Sequence, residues 1–185
     1  MLGNRTIIAL LCCALAAGTL SARAQVVPAA TKKGLSLTAG GFGSAFQPDF
    51  TGTNVGTSIN RLYGVGAYAD LKVTRWVQIE AEARWLRFNQ YQKNGEDNYL
   101  IGPRVPFSVR HFPRVKPYGK VLVGYGKSDF LYGSTFNLAF GGGVDYRLNN
   151  RFSIRAFDLE YQRWSTAPAT LYPYGASVGL SYKIF

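Results

Sequence analysis

Four carboxylates stand in two pairs, Glu80 with Glu82 and Asp158 with Glu160, each pair two residues apart. Two acids on one face can act as general acid and base or hold a divalent cation. Residues two apart share a face only on an extended chain. The single histidine, His111, has Ser108 three residues away, which on a strand is the opposite face, so a Ser-His-acid relay does not assemble locally. Gly126-Lys127-Ser128 ends like a phosphate loop, but Val121 stands where the leading glycine belongs and no helical period follows. Gly64-Val65-Gly66-Ala67-Tyr68-Ala69 approximates a dinucleotide fingerprint, yet it sits inside an alternating segment rather than at a strand–helix turn. Glycines that relieve crowding in strands explain both stretches. No catalytic residue, metal site or cofactor is expected.

The elements that hold the acid pairs are strands. From Trp76 to Trp85, Val77, Ile79, Ala81, Ala83 and Trp85 alternate with Gln78, Glu80, Glu82 and Arg84. One face is apolar and the other polar, as a half-buried strand requires. The same reading gives eight segments, at about 34–45, 61–73, 76–88, 98–111, 116–126, 135–148, 151–164 and 173–185. Links alternate between short (74–75, 112–115, 149–150) and longer, polar ones (46–60, 89–97, 127–134, 165–172). Asn149-Asn150 suits a tight hairpin because asparagine tolerates positive φ. Short turns alternating with long loops around an even strand count predict an all-β fold, an eight-stranded antiparallel up-and-down transmembrane β-barrel.

Composition agrees. The chain has 185 residues, is 47% hydrophobic and 15% aromatic, and carries a formal charge of +11. That is too apolar for disorder. It also lacks the several apolar runs of ~20 residues that a helical membrane bundle needs. Arg5, the apolar stretch from Ile7 to Leu20 and Ala22-Arg23-Ala24 read as a signal peptide over 1–24. A short periplasmic segment, 25–33, and a barrel domain, 34–185, would follow. Cleavage removes both cysteines, Cys12 and Cys13, and lowers the charge from +11 to +9. An exported chain makes a nucleic-acid partner unexpected.

Charge decides which face is inside. Glu80, Glu82, Asp145, Asp158, Glu160, Arg84, Arg104, Arg110, Lys120, Arg147 and Arg155, with Asp70 and Lys72, fall on the small or polar faces. A basic side chain at the bilayer midplane would cost roughly 2–4 kcal/mol, whereas a nearly balanced set could pair inside a narrow barrel. The carboxylates are therefore expected in salt bridges. Tyr63, Trp85, Tyr99, Tyr125 and Tyr174 would form one aromatic belt; Trp76, Tyr118, Tyr146, Phe152 and Tyr182 would form the other. Parity fails in the seventh segment, where Asp158 and Glu160 fall in step with Phe152 and Ile154, so a β-bulge is predicted near Ala156-Phe157. Pro103 and Pro106 predict disturbed pairing in the fourth.

With these features the chain resembles the small outer-membrane β-barrels of the OmpA-like and opacity-protein type. The resemblance covers about 34–185 and rests on Asn98-Tyr99-Leu100-Ile101-Gly102-Pro103-Arg104, on Asp158-Leu159-Glu160-Tyr161-Gln162-Arg163-Trp164, and on the C-terminal aromatic. It implies an integral, porin-like protein of the cell envelope in the bacterial outer membrane. It also implies that Leu180, Tyr182, Ile184 and Phe185 form the signal read by the barrel-assembly machinery. Arg61, Arg87, Lys93, Lys127 and Arg163 fall near the outer rim, where lipopolysaccharide phosphates would sit. Phe50, Tyr91, Phe130, Tyr132, Trp164 and Tyr172 are loop aromatics that would either contact a surface partner or extend the belt.

The expected function is non-enzymatic: a monomer with a charge-filled interior and outward loops in a structural or surface-interaction role. A narrow channel and a lipid A-modifying enzyme are the other readings. The barrel extracted from membranes should migrate differently on a gel before and after boiling; identical mobility would overturn the fold.

Overall fold

The computed structural model describes residues 35–49, 61–88, 95–129, 133–166 and 170–185. Segments 1–24 and 25–33 lie outside the described residues, as do Phe50, Tyr91, Lys93, Phe130 and Tyr132. Eight strands follow in order: β1 Ser36–Gln47, β2 Leu62–Lys72, β3 Gln78–Phe88, β4 Glu96–Pro106, β5 Val115–Ser128, β6 Ser134–Arg147, β7 Phe152–Trp164 and β8 Tyr174–Lys183. Each pairs antiparallel with its sequence neighbour, and β1 pairs with β8 to close the barrel. Closure leaves no sheet edge, so every strand has a paired neighbour on both sides, the condition for crossing a bilayer on strands.

Alternation in the sequence becomes alternation in burial. Along β2, Leu62, Gly64, Gly66, Tyr68 and Asp70 are buried in the lumen while Tyr63, Val65 and Ala67 are exposed on the outer wall. The outer wall also carries Ile101, Val123, Phe140, Leu159, Val178 and Leu180. A continuous apolar exterior around a closed barrel is a surface for lipid, since a soluble barrel would turn that face inward.

Two irregularities keep the faces correct. Asp145 pairs with Arg155 and Val144 with Phe157, so Ala156 is the extra residue, and the ladder to β8 slips over the same span. Ala156 and Phe157 both face outward, which returns Asp158 and Glu160 to the lumen. The predicted bulge is therefore present, for the reason the parity gave. A second slip at Tyr63–Gly64 leaves Arg87 unmatched in β3, and Arg87 and Phe88 both point out at the loop end.

The fourth strand shows the disturbed pairing expected of its prolines but ends earlier than expected. Pairing with β5 lapses at Gly102 and Pro103, yet the register on either side is the same, so no bulge forms. The strand ends at Pro106, where the missing donor stops the ladder, and Phe107 N donates to Pro117 O at 2.7 Å to open the turn. β3 likewise starts at Gln78 rather than Trp76, because Thr74 Oγ1 accepts from Trp76 N and Val77 N and holds them in a turn. The Asn149-Asn150 hairpin needs no positive φ: Asn149 Oδ1 caps the N–H groups of Arg151 and Phe152 at 2.8 and 2.7 Å.

Large and minimal side chains share the narrow lumen. A Cβ on Gly66 would stand 2.2 Å from the Phe42 ring, and one on Gly126 would stand 2.4 Å from Trp164. These glycines are the room into which the rings fit.

Deleting Ala156 should abolish the folded, heat-modifiable form, because a regular ladder through β7 turns either Arg155 or the Asp158–Glu160 pair into lipid. Arginine there costs about 2–4 kcal/mol. A deletion variant that folds like the parent would overturn this account of the bulge.

Candidate functional site: the barrel lumen and its rims

The lumen is a stack of ion pairs. At its centre Lys120 Nζ, fully buried, lies 3.1 Å from Glu80, 2.8 Å from Glu82, 2.6 Å from Asp158 and 3.0 Å from Glu160. β3 and β7, on opposite sides of the barrel, each supply two of those acids because residues two apart share a face, and β5, midway between them, supplies the base. One lysine thus occupies the place that a metal ion would need among Glu80, Glu82 and Asp158.

Toward the periplasmic end, Arg155 spans Glu80 at 2.8 Å and Asp158 at 3.2 Å. Arg104 holds Asp70 at 2.8 Å, Glu80 at 3.3 Å and also Asp145. Both guanidiniums lie over rings: the Cζ of Arg155 is 3.6 Å from the centroid of Tyr68, and that of Arg104 is 3.8 Å from the centroid of Tyr118. Stacking of this kind adds about 0.5–2 kcal/mol per pair and fixes the plane of the donors. Toward the outer end, Arg84 pairs with Glu82 and, at 3.0 Å, with Glu160, beneath the ring of Phe46. Above it runs a ladder of amides. Gln162 donates to Glu160, Asn137 donates to Gln162 and Asn98, and Asn98 donates to Glu96. Trp164 Nε1 donates to Gln162 Oε1 at 2.7 Å. Phe46, Leu62 and Leu86 pack as an apolar cluster at this end.

Not every residue expected inside is there. Glu80, Glu82, Arg84, Arg104, Lys120, Arg155, Asp158 and Glu160 are buried, and Asp145 is half-buried. Arg110 is exposed in the turn after β4, since that strand stops four residues earlier. Arg147 is exposed at the periplasmic mouth, and Lys72 lines the same mouth. Glu96 was missed and is buried; continuing the alternation one step upstream from Asn98 would have found it. The interior is consequently not balanced. Among the described residues, six buried acids (Asp70, Glu80, Glu82, Glu96, Asp158, Glu160) meet four buried bases (Arg84, Arg104, Lys120, Arg155), with Asp145 and Lys72 half-buried at the mouth.

Two aromatic expectations also change. Tyr118 is buried under Arg104 rather than in a belt, in step with Lys120 on the inner face. Trp164 is 1% exposed and plugs the outer lumen, so it is no surface contact. The remaining belt residues are outward. Trp85 Nε1 donates to Tyr99 Oη at 3.0 Å, Tyr161 stacks on Tyr172 at 6.0 Å, and Phe152 meets Tyr182 at 5.1 Å. Arg61, Arg87, Lys127 and Arg163 are exposed near the outer end, with Arg87 held by Asp97 at 2.6 Å. Leu180, Tyr182 and Ile184 face outward in step, while Phe185 is half-buried and its carbonyl accepts from Leu37 N. His111 is exposed in the same periplasmic turn as Arg110.

A closed eight-stranded barrel, apolar outside and charged within, defines a transmembrane barrel of the bacterial outer membrane, in contact with that membrane's lipids. Residues 10–183 match the family model described as the outer membrane protein beta-barrel domain, and the chain belongs to that family. Solved structures of the same fold include Neisserial surface protein A, at 12% identity and a TM-score of 0.54, covering 80% of this chain and 96% of that one. The N-terminal β-barrel domain of Pseudomonas aeruginosa OprF is similar at 11% identity and 0.53, over 80% and 97% of the two chains. Pseudomonas aeruginosa OprG is similar at 13% identity and 0.52, over 82% and 96%. No curated protein matches the sequence.

Replacing Lys120 by methionine should destabilise the barrel by about 3–5 kcal/mol, the cost of leaving buried charge without its partner. Urea-induced unfolding in lipid vesicles measures this, and an unchanged midpoint would show that the four carboxylates do not depend on Lys120.

Proposed function

We propose that this is a non-enzymatic, monomeric outer-membrane barrel whose filled interior makes it a rigid membrane platform and whose outward loops act in structural or surface-interaction roles. The observation that carries this reading is the commitment of Glu80, Glu82, Asp158 and Glu160 to one buried lysine at 2.6–3.1 Å. Acids held that closely are unavailable for proton transfer to a substrate or for a metal. His111 lies exposed in a turn and not in the lumen with the carboxylates, which also disfavours a lipid A-modifying enzyme. The Phe46–Leu62–Leu86 cluster and Trp164 narrow the outer half, which disfavours an open channel.

The partners follow from the two ends of the barrel. Arg61, Lys127 and Arg163, with Arg87 and Lys93, suit lipopolysaccharide phosphates beside the outer belt, because cations near a charged membrane surface contribute about 1 kcal/mol each. Leu180, Tyr182, Ile184 and Phe185 suit recognition by the barrel-assembly machinery during biogenesis.

In a planar bilayer the protein should give no stable open-pore conductance; a wide, steady pore would sink the filled-lumen reading. The triple variant Arg61→Gln, Lys127→Gln, Arg163→Gln should retain at least tenfold less lipopolysaccharide by native mass spectrometry. Unchanged bound lipid would refute the outer-rim assignment.

A further inference from the structure

The periplasmic end of the lumen opens into a cavity of about 510 Å³. Seven cations line it: Arg104, which is paired with Asp70, Glu80 and Asp145, and six others, Lys72, Arg75, Lys116, Arg147, Arg151 and Lys183. The six come from β2, the β2–β3 turn, β5, β6, the β6–β7 turn and β8, so the fold brings them together from around the whole barrel. Among the described residues only two carboxylates reach the cavity, Asp70 and Asp145, and both are taken by Arg104 and Arg155. Among the described residues none of the six makes an ion pair. Lys72, Arg147 and Lys183 lie close enough to Lys116 for their charges to act on it.

Like charges gathered around a concave, low-dielectric wall focus a positive potential and raise the local concentration of anions. The Asn149 cap positions the backbone of Arg151 at the rim of the cavity, where its Nη1 donates to the outward-facing Tyr182 Oη at 3.2 Å. Lysine offers three donors and arginine a planar fork suited to phosphate oxygens. The volume is within the ~300–1,000 Å³ of small-ligand sites. The outer-rim cations of the proposed function are at the other end of the barrel, so the two assignments stand separately.

We propose that this vestibule is a binding site for an anion bearing two or more phosphate groups, entering from the periplasm. The phosphates belong either to a soluble polyphosphorylated molecule or to the headgroup of an anionic phospholipid; the recognition chemistry is the same. The competing explanation is that the six cations only offset the excess acid of the lumen at a distance. In that case added phosphate would find no saturable site.

The test is calorimetric titration of the full barrel, in zwitterionic micelles at low salt, with sodium tripolyphosphate. Saturable binding near one per barrel is expected. The triple variant Lys72→Gln, Arg147→Gln, Lys183→Gln should weaken it at least tenfold, while the charge-keeping set Lys72→Arg, Arg147→Lys, Lys183→Arg stays within about threefold. Heat-modifiable mobility reports whether each variant is folded. If the triple variant does not fold, Arg75→Gln, in an exposed turn, should still weaken binding at least twofold. Repeating the titration in micelles containing cardiolipin, whose headgroup carries two phosphates, separates the sources: lost binding identifies a lipid headgroup, unchanged binding a soluble anion. Failure of the parent barrel to bind tripolyphosphate, or undiminished binding by the neutralised variants, overturns the proposal.

Discussion

The arrangement depends on the cost of holding charge out of water. A carboxylate or guanidinium inside a narrow barrel loses several kcal/mol of hydration, and only close partners return it. Lys120, ringed by Glu80, Glu82, Asp158 and Glu160, is where that condition is met most fully. Strand register, bulge position and the packing of rings around the arginines all keep those five side chains within contact. The alternative of turning charge toward lipid is closed, so the register of β3, β5 and β7 is fixed by electrostatics as much as by apolar burial.

The same constraint explains the bulges. A strand with strict alternation cannot carry Arg155 and Asp158 on one face, since they are three apart. The extra residue at Ala156 resolves the conflict, and the outward pair Ala156-Phe157 is small and apolar enough to face lipid.

Much of this was legible in the sequence, for a simple reason: period-two alternation with one charged face is a local signal. Strand number, closure, the inward set around Lys120 and the β7 bulge all follow from counting parity. What escaped was decided at strand ends, where parity says nothing about length. Arg110 was lost to the lumen by a proline four residues upstream, and Glu96 was gained by one further step of ladder. Trp164 and Tyr118 were misjudged because an aromatic near a rim suggests a belt, while their actual partners, Gln162 and Arg104, come from packing inside. The imbalance of six buried acids against four buried bases emerged only when those ends were settled.

The seam between β1 and β8 carries a kinetic consequence. Ser177 Oγ donates to Ser44 Oγ across 133 residues of chain, whereas the other strand pairs join neighbours through single connections. Loop-closure entropy makes such a distant pairing slow relative to hairpins. Until it forms, β1 and β8 are open edges with unpaired backbone groups, in a bilayer that offers no water to satisfy them. Folding therefore has a vulnerable last step whose duration is set by topology rather than by any weak contact, and a protein that caps those two edges while they wait would accelerate it without touching the lumen at all.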